Sequence, residues 1–194
     1  SLARAFRGEG YELRVGADFV EVRACAERGA FYGLMTLEQL LRASRTGPGF
    51  SLSPMTIRDW PTIAMRGFHE DYGRNQLPTM ETHRHAIETL ARFKMNTYCF
   101  YIEPDHFVFS FDPEPGAGPD RFRLSELSEL VRYAEQYYVD IVPVVELLGH
   151  VEGLLSDPAY AALGELTGGN TLCPTDEKTL AFAERVISEL APVF

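Results

Sequence analysis

Apolar and polar residues alternate along residues 11–23, YELRVGADFVEVR, around a break at Gly16-Ala17-Asp18, which is the pattern of a β-hairpin. Over residues 29–42 the spacing changes. Phe31, Leu34, Leu37, Leu40 and Leu41 fall on one helical face. A hairpin and one helix make an α+β layer of about 50 residues, too little to be stable unless it packs on something else. Gly47-Pro48-Gly49 reads as a loop, and residues 52–61 as a connector.

From Ile63 the chain alternates strand and helix patterns. A strand over 64–71 leads to a helix over 79–94, opened by Pro78-Thr79. A strand over 96–102 leads to a loop from Glu103 to Arg123 rich in Pro, Gly and Asp. Leu124, Leu127, Leu130, Val131 and Ala134 then mark a second helical face. The β-branched run from Val139 to Glu146 has the composition of a strand buried on both sides. A loop from Leu147 to Pro174 comes next, then a third helical face at Leu180, Ala183, Val186, Ile187 and Leu190.

Strand and helix repeated three times imply parallel pairing with right-handed crossovers. Both long loops come after strands, at the end where (β/α)8 barrels carry their sites. The expected architecture is α/β: a partial α+β domain over residues 1–57, then the first three βα units of a TIM (β/α)8 barrel over 58–194. A whole barrel needs eight units and about 250 residues. Three strands alone leave sheet edges and helix surface uncovered. The expectation is therefore a piece of a larger barrel that stops before a fourth strand, with self-association or a companion C-terminal fragment covering what is left bare.

Composition narrows the function classes. The net charge is −10 with no basic run, which disfavours nucleic acid and anionic membranes as partners. No apolar stretch approaches the roughly 18 residues of a membrane span. Cys25, Cys99 and Cys173 are widely spaced and read as unpaired thiols rather than a disulfide framework or a zinc cluster. Free thiols and the lack of an opening signal peptide tilt the expected compartment to the cytoplasm.

Three groups of residues carry candidate chemistry. Arg66, His69, Glu70 and Asp71 lie on or just after the first strand of the alternating region, with Arg66, Phe68 and Glu70 expected on one face. Arg66 has two readings of equal weight: a grip on substrate hydroxyls, or a structural pair with an acid that satisfies its five donors. Glu103 and Asp105 come after the next strand among aromatic residues, which suits sugar hydroxyls and ring faces; a solvated loop start is the plainer reading of the same letters. Glu146 and His150 end the third strand and are close enough to orient one another for proton transfer. A satisfied structural histidine accounts for His150 equally well. The neighbours Leu147 and Leu148 suggest dry surroundings. No third ligand stands at firm spacing, so neither a metal nor a cofactor is expected.

The order of these pieces resembles glycoside hydrolase family 20, the β-N-acetylhexosaminidases, over nearly the whole chain. EGYELRV from Glu9 and GAFYGLMTLEQLL from Gly29 are similar to the small domain that precedes the barrel in that family. MRGFHEDYGRNQLP from Met65, KMNTYCFYIEPD from Lys94, VPVVELLGH from Val142 and NTLCPTD from Asn170 resemble its successive strands and the lead into its third helix. The resemblance implies an enzyme that removes terminal β-linked N-acetylhexosamine. The substrate's own acetamido oxygen would attack the anomeric carbon, a route outside the two-carboxylate scheme. It also implies that Arg66 holds hydroxyls of the terminal sugar and that His150 lies near the catalytic acid. Glu146 stands where many members have Asp, Leu148 where they have Pro, and Pro104 where an acid is frequent. Tyr98-Cys99-Phe100-Tyr101 replaces a His-Trp-His pattern. The family's catalytic Asp-Glu pair ends a fourth strand, so the 194 residues alone are expected to be inactive. A standalone sugar-binding or scaffolding module is the competing reading. A hyaluronidase-like hexosaminidase is a weaker one, disfavoured by the hairpin-helix layer and by Gly149-His150.

Overall fold

The structure, a computed structural model of the chain, describes residues 8–72, 77–112 and 121–194. Residues 73–76 of the first-strand motif, and 113–120 of the loop after Glu103, lie outside the described residues. The chain forms two compact units. The first holds residues up to Arg66 together with Glu88–Asn96, and the second holds Gly67–Ile87 with Thr97–Phe194.

In the first unit the hairpin forms as its alternation predicts. β1 (Tyr11–Val15) pairs antiparallel with β2 (Val20–Ala24). β1 pairs on its other edge with β3 (Met55–Asp59), a strand inside the stretch read as a connector. Five residues between Pro54 and Trp60-Pro61 are too short a run to outweigh their flanking prolines; pairing to β1 decides the outcome. Tyr11 and Leu13 point to one face and pack with Tyr32 of α1 (Glu27–Ala43). Gly33 permits this closeness, because a Cβ there would meet Val22 Cγ1 at 2.5 Å. The buried stripe of α1 is Gly29, Tyr32 and Gly33, flanked by Phe31, Leu37 and Leu40, while Leu34 of the expected face is half exposed. Arg45–Thr46 and Gly49–Phe50 make a two-rung ladder where a plain loop was expected.

In the second unit β4 (Gly67–Glu70), β5 (Thr97–Ile102) and β6 (Asp140–Val145) form a parallel sheet in the order β6-β5-β4. Each of the outer strands has one edge with no strand paired to it among the described residues. The helices α2 (Met80–Arg92), α3 (Leu124–Glu135) and α5 (Glu177–Leu190) come after the three strands in turn. The short α4 (Glu152–Ser156) lies within the second long loop. No helix among the described residues is long and apolar enough to cross a membrane.

α3 buries Leu127, Leu130 and Ala134 as its spacing predicts. α5 does not keep its predicted phase. It buries Thr179, Phe182, Val186 and Leu190, and leaves Leu180 and Ile187 half exposed. The cause is Phe182, whose ring meets Phe111 edge-on at 5.9 Å and Tyr160 at 5.4 Å. Those aromatic contacts outweigh the two aliphatic positions.

Along β5, Tyr98, Phe100 and Ile102 face the core and alternate with Cys99, Tyr101 and Glu103. Phe100 packs among Tyr72, His83, Phe107 and Phe122. His83 is fully buried in this cluster, and burial pulls its imidazole down to about 4. Its Nδ1 lies 3.0 Å from the Tyr72 hydroxyl and 2.9 Å from that of Tyr98. The two tyrosines donate to Glu70 Oε2, at 3.0 Å from Tyr72 and 2.5 Å from Tyr98. Glu70 thus belongs to a closed polar knot in an aromatic core.

Candidate functional site

β5 is the central strand, and the turn at its C-terminal end is the most constrained part of the second unit. Glu103 comes one residue after the last strand residue, still on the Tyr101 face. Pro104 then fixes a 3-10 turn, Pro104–His106, closed by the His106 amide donating to the Glu103 carbonyl at 3.0 Å. Three residues per turn bring His106 back over Glu103, with Nε2 of the ring 3.7 Å from Glu103 Oε2. Glu103 and Tyr101 are both buried, and the Tyr101 hydroxyl donates to the Glu103 carboxylate.

The electrostatics come from this crowding. Burial, then the Asp105 carboxylate, pushes the Glu103 carboxyl above the usual range. Glu152 adds to the push, while the Tyr101 hydrogen bond and the charge of His150 oppose it. Burial pulls His106 down against the attraction of Asp105. The Tyr101 phenol is pushed far up by burial, with Glu103, Glu146 and Asp71 contributing. Asp105 Oδ1 and His106 Nδ1 are buried without a hydrogen-bond partner. Glu103, Asp105 and His106 each offer a ligand atom within 4.8 Å of the others, the set among the described residues able to hold a cation. The spacing that spoke against a metal was that of Glu146 and His150, whereas this set lies at the end of β5, where His106 joins Glu103 and Asp105 through the 3-10 turn.

The second long loop closes on the first. The Glu146 amide donates to the Ile102 carbonyl at 2.9 Å, which seats the end of β6 beside the end of β5. Leu172 N–H to Leu148 O and Val151 N–H to Asn170 O stitch the loop together. His150 sits in the left-handed region at φ 55°, and α4 begins two residues later. Gly153 in the first turn of α4 lies against Asp105: a Cβ there would fall 1.9 Å from Asp105 Oδ2. The dry setting expected around His150 is not found. His150 is exposed, and so is Leu148.

Of the residues singled out by sequence, Glu103, Asp105, Glu146 and His150 gather at the C-terminal ends of β5 and β6. Tyr101, His106 and Gly153 join them and were not singled out. Alternation with Glu103 was the available signal for Tyr101, and the Pro104 turn for His106. Arg66 lies elsewhere, in the first unit, at the N-terminal side of β4. Its Nε donates to Lys94 O at 2.9 Å, and Nη1 donates to Ile63 O at 2.9 Å and Ala64 O at 3.0 Å. Its Nη2 pairs with Glu9 Oε2 at 2.9 Å and reaches the Tyr32 hydroxyl at 3.4 Å. These five acceptors take up the five donors of the guanidinium. Beside it, Lys94 is held by Asp59 at 2.7 Å and by Tyr11 and Thr36 at 3.0 Å each.

Comparison with known proteins bears on both parts of the chain. Residues 3–60 match the model for domain 2 of glycosyl hydrolase family 20, and residues 64–194 match the model for its catalytic domain. A beta-hexosaminidase of Porphyromonas gingivalis is 27% identical over 223 residues, covering 99% of this chain and 28% of that protein. Beta-hexosaminidase subunit A1 of Dictyostelium discoideum is 26% identical, over 96% of this chain and 37% of its own length. Among solved structures, a mutant Streptomyces plicatus beta-hexosaminidase in complex with its product GlcNAc superposes with a TM-score of 0.82 at 27% identity. It covers 97% of this chain and 43% of its own. The chain thus spans less than half the length of these relatives.

Proposed function

The chain belongs to glycosyl hydrolase family 20, and on that premise we propose that it supplies the opening part of the catalytic barrel of a β-N-acetylhexosaminidase. The reaction is removal of terminal β-linked N-acetylhexosamine, with the substrate's acetamido group as nucleophile. The observation that carries this reading is the buried Glu103 carboxylate at the end of the central strand, crowded by Asp105 and held by Tyr101. Buried carboxylates with spare acceptor positions suit sugar hydroxyls and amides. Glu103 and Asp105 are the sugar-holding acids. His150 and Glu146, on the adjoining strand end, support the proton-donating acid that a fourth strand contributes in the family pattern. Arg66 stays outside this assignment, because its filled donors support the ion-pair reading instead.

The experiment is turnover of an aryl β-N-acetylglucosaminide by the 194-residue chain, alone and mixed with a polypeptide carrying the later strands of the same barrel. The chain alone is expected to stay at background and the mixture to be active. Glu103→Gln should cut the mixture's kcat/KM by about 100-fold or more, the scale of a positioned acid–base or charge contact. Full turnover by the chain alone overturns the dependence on later strands, and a Glu103→Gln mixture as active as the unmutated one overturns the role of Glu103.

A further inference from the structure

The two loops that meet at the candidate site bring acids together: Glu103 and Asp105 from one, Glu152 from the other. Glu152 raises the Glu103 carboxyl, so its charge acts across the gap. The Asp105–Gly153 approach is tight but makes no hydrogen bond. Asp105 is pressed against Gly153, the neighbour of Glu152, so acids carried by the two loops favour their separation. Something outside the acid cluster holds them closed.

Asp112 has the right connections. It is 8% exposed and its carboxylate is bound from three places. Within its own loop, the Phe109 amide donates to Oδ2 at 2.9 Å. From the far end of that loop, Arg121 Nη2 reaches Oδ2 at 2.7 Å and also binds the carbonyl of Phe107, the residue next to His106. From the second loop, the Tyr160 hydroxyl donates to Oδ1 at 2.8 Å. Tyr160 is held in turn by its ring contact with Phe182 of α5.

We propose that Asp112 is a positioning residue, which clamps the loop bearing Glu103, Asp105 and His106 to the loop bearing His150 and Glu152 through Tyr160. Its purpose at this site rests on the hexosaminidase reading; the clamp itself does not. Without it, repulsion among the acids opens the gap, Glu103 gains water, and the spacing between the sugar-holding acids and His150 is lost.

Tyr160→Phe removes the linking hydroxyl and keeps the ring on Phe182 and the Asp112–Arg121 pair. Amide exchange at His106 and Leu155, whose hydrogen bonds lie one on each loop, is expected to speed about fivefold, the worth of one ordinary hydrogen bond. Adding Glu152→Gln to Tyr160→Phe should restore slow loop exchange, because it removes a charge driving the loops apart. The Thr179 amide in α5 should not change in any of these variants. Unchanged exchange in Tyr160→Phe overturns the clamp. Faster exchange that Glu152→Gln fails to rescue, with Thr179 accelerated equally, also overturns it, by making Tyr160 a general stability residue. No readout uses sugar, so a chain that behaves as expected yet gives an inactive mixture keeps the clamp and loses the hexosaminidase reading.

Discussion

His83 is a buried base whose worth can be read from the pH dependence of folding. In the unfolded chain its imidazole titrates at its ordinary 6.5, and in the folded core burial holds it at about 4. The folded value lies below the unfolded one, so the stabilisation is complete above pH 6.5 and drains away as pH falls through 6.5 toward 4. At about 1.4 kcal/mol per pH unit the whole gap is worth about 3 kcal/mol, of which about 2 kcal/mol is gone by pH 5. The perturbation is His83→Asn, which keeps an amide able to donate to the Tyr72 hydroxyl and cannot titrate. It lowers stability at every pH because the ring no longer fills its place against Phe100 and Phe122. Its urea-unfolding free energy should nevertheless fall about 2 kcal/mol less than that of the parent chain between pH 7.5 and pH 5. Glu103 titrates with the opposite sign, since its raised carboxyl favours the fold as pH drops, but that contribution is common to both proteins. Parallel curves for parent and variant would refute a neutral, buried His83.

Two further substitutions test the packing around the sites. Arg66→Met should cost about 3 kcal/mol or more in urea unfolding, because it strips a partner from Glu9 and from three carbonyls at a largely buried position; a variant as stable as the parent would contradict the ion-pair reading. Gly153→Ala should cost about 1–3 kcal/mol, since its methyl must displace the Asp105 carboxylate. Asp105→Ala in the same chain should recover most of that loss in a thermal melt, and failure to recover it would locate the cost elsewhere.

Periodicity read from letters works where one face of an element meets one uniform neighbour. The strand β1 and the helix α3 meet that condition, and their buried residues fall where alternation and 3.6-residue spacing put them. α5 fails it because the choice between Phe182 and the pair Leu180 and Ile187 is made by Phe111 and Tyr160, which belong to distant loops. β3 fails it because a five-residue strand is stabilised by pairing to β1 more than by its own composition. Glu103, Asp105, Glu146 and His150 were legible as strand-end residues in a repeating βα pattern. Tyr101 was legible in principle, two residues before Glu103 on an alternating strand. His106 and Asp112 were not, since each acts through a turn or a partner tens of residues away.

Arg66 shows how the chain around a strand can take up an arginine's donors. An arginine beside a β-strand serves a ligand only if donors remain after the backbone has used them. Here Lys94 adopts φ 57° and Asn96 receives the Arg66 amide at Oδ1, and together they fold the carbonyls of the chain around the guanidinium. The first unit thus consumes its central cations, Arg66 and Lys94, in fixed pairs with Glu9 and Asp59. At the strand ends of the second unit the balance is reversed: among the described residues Glu103, Asp105, Glu146 and Glu152 gather with histidines as their nearby bases. Burial and the neighbouring Asp105 carboxylate raise Glu103, and acids gathered from two loops repel, so the fold must both bury Glu103 and brace the loops that carry its neighbours. The brace on those loops is the set of hydrogen bonds at Asp112, from Phe109, Arg121 and Tyr160.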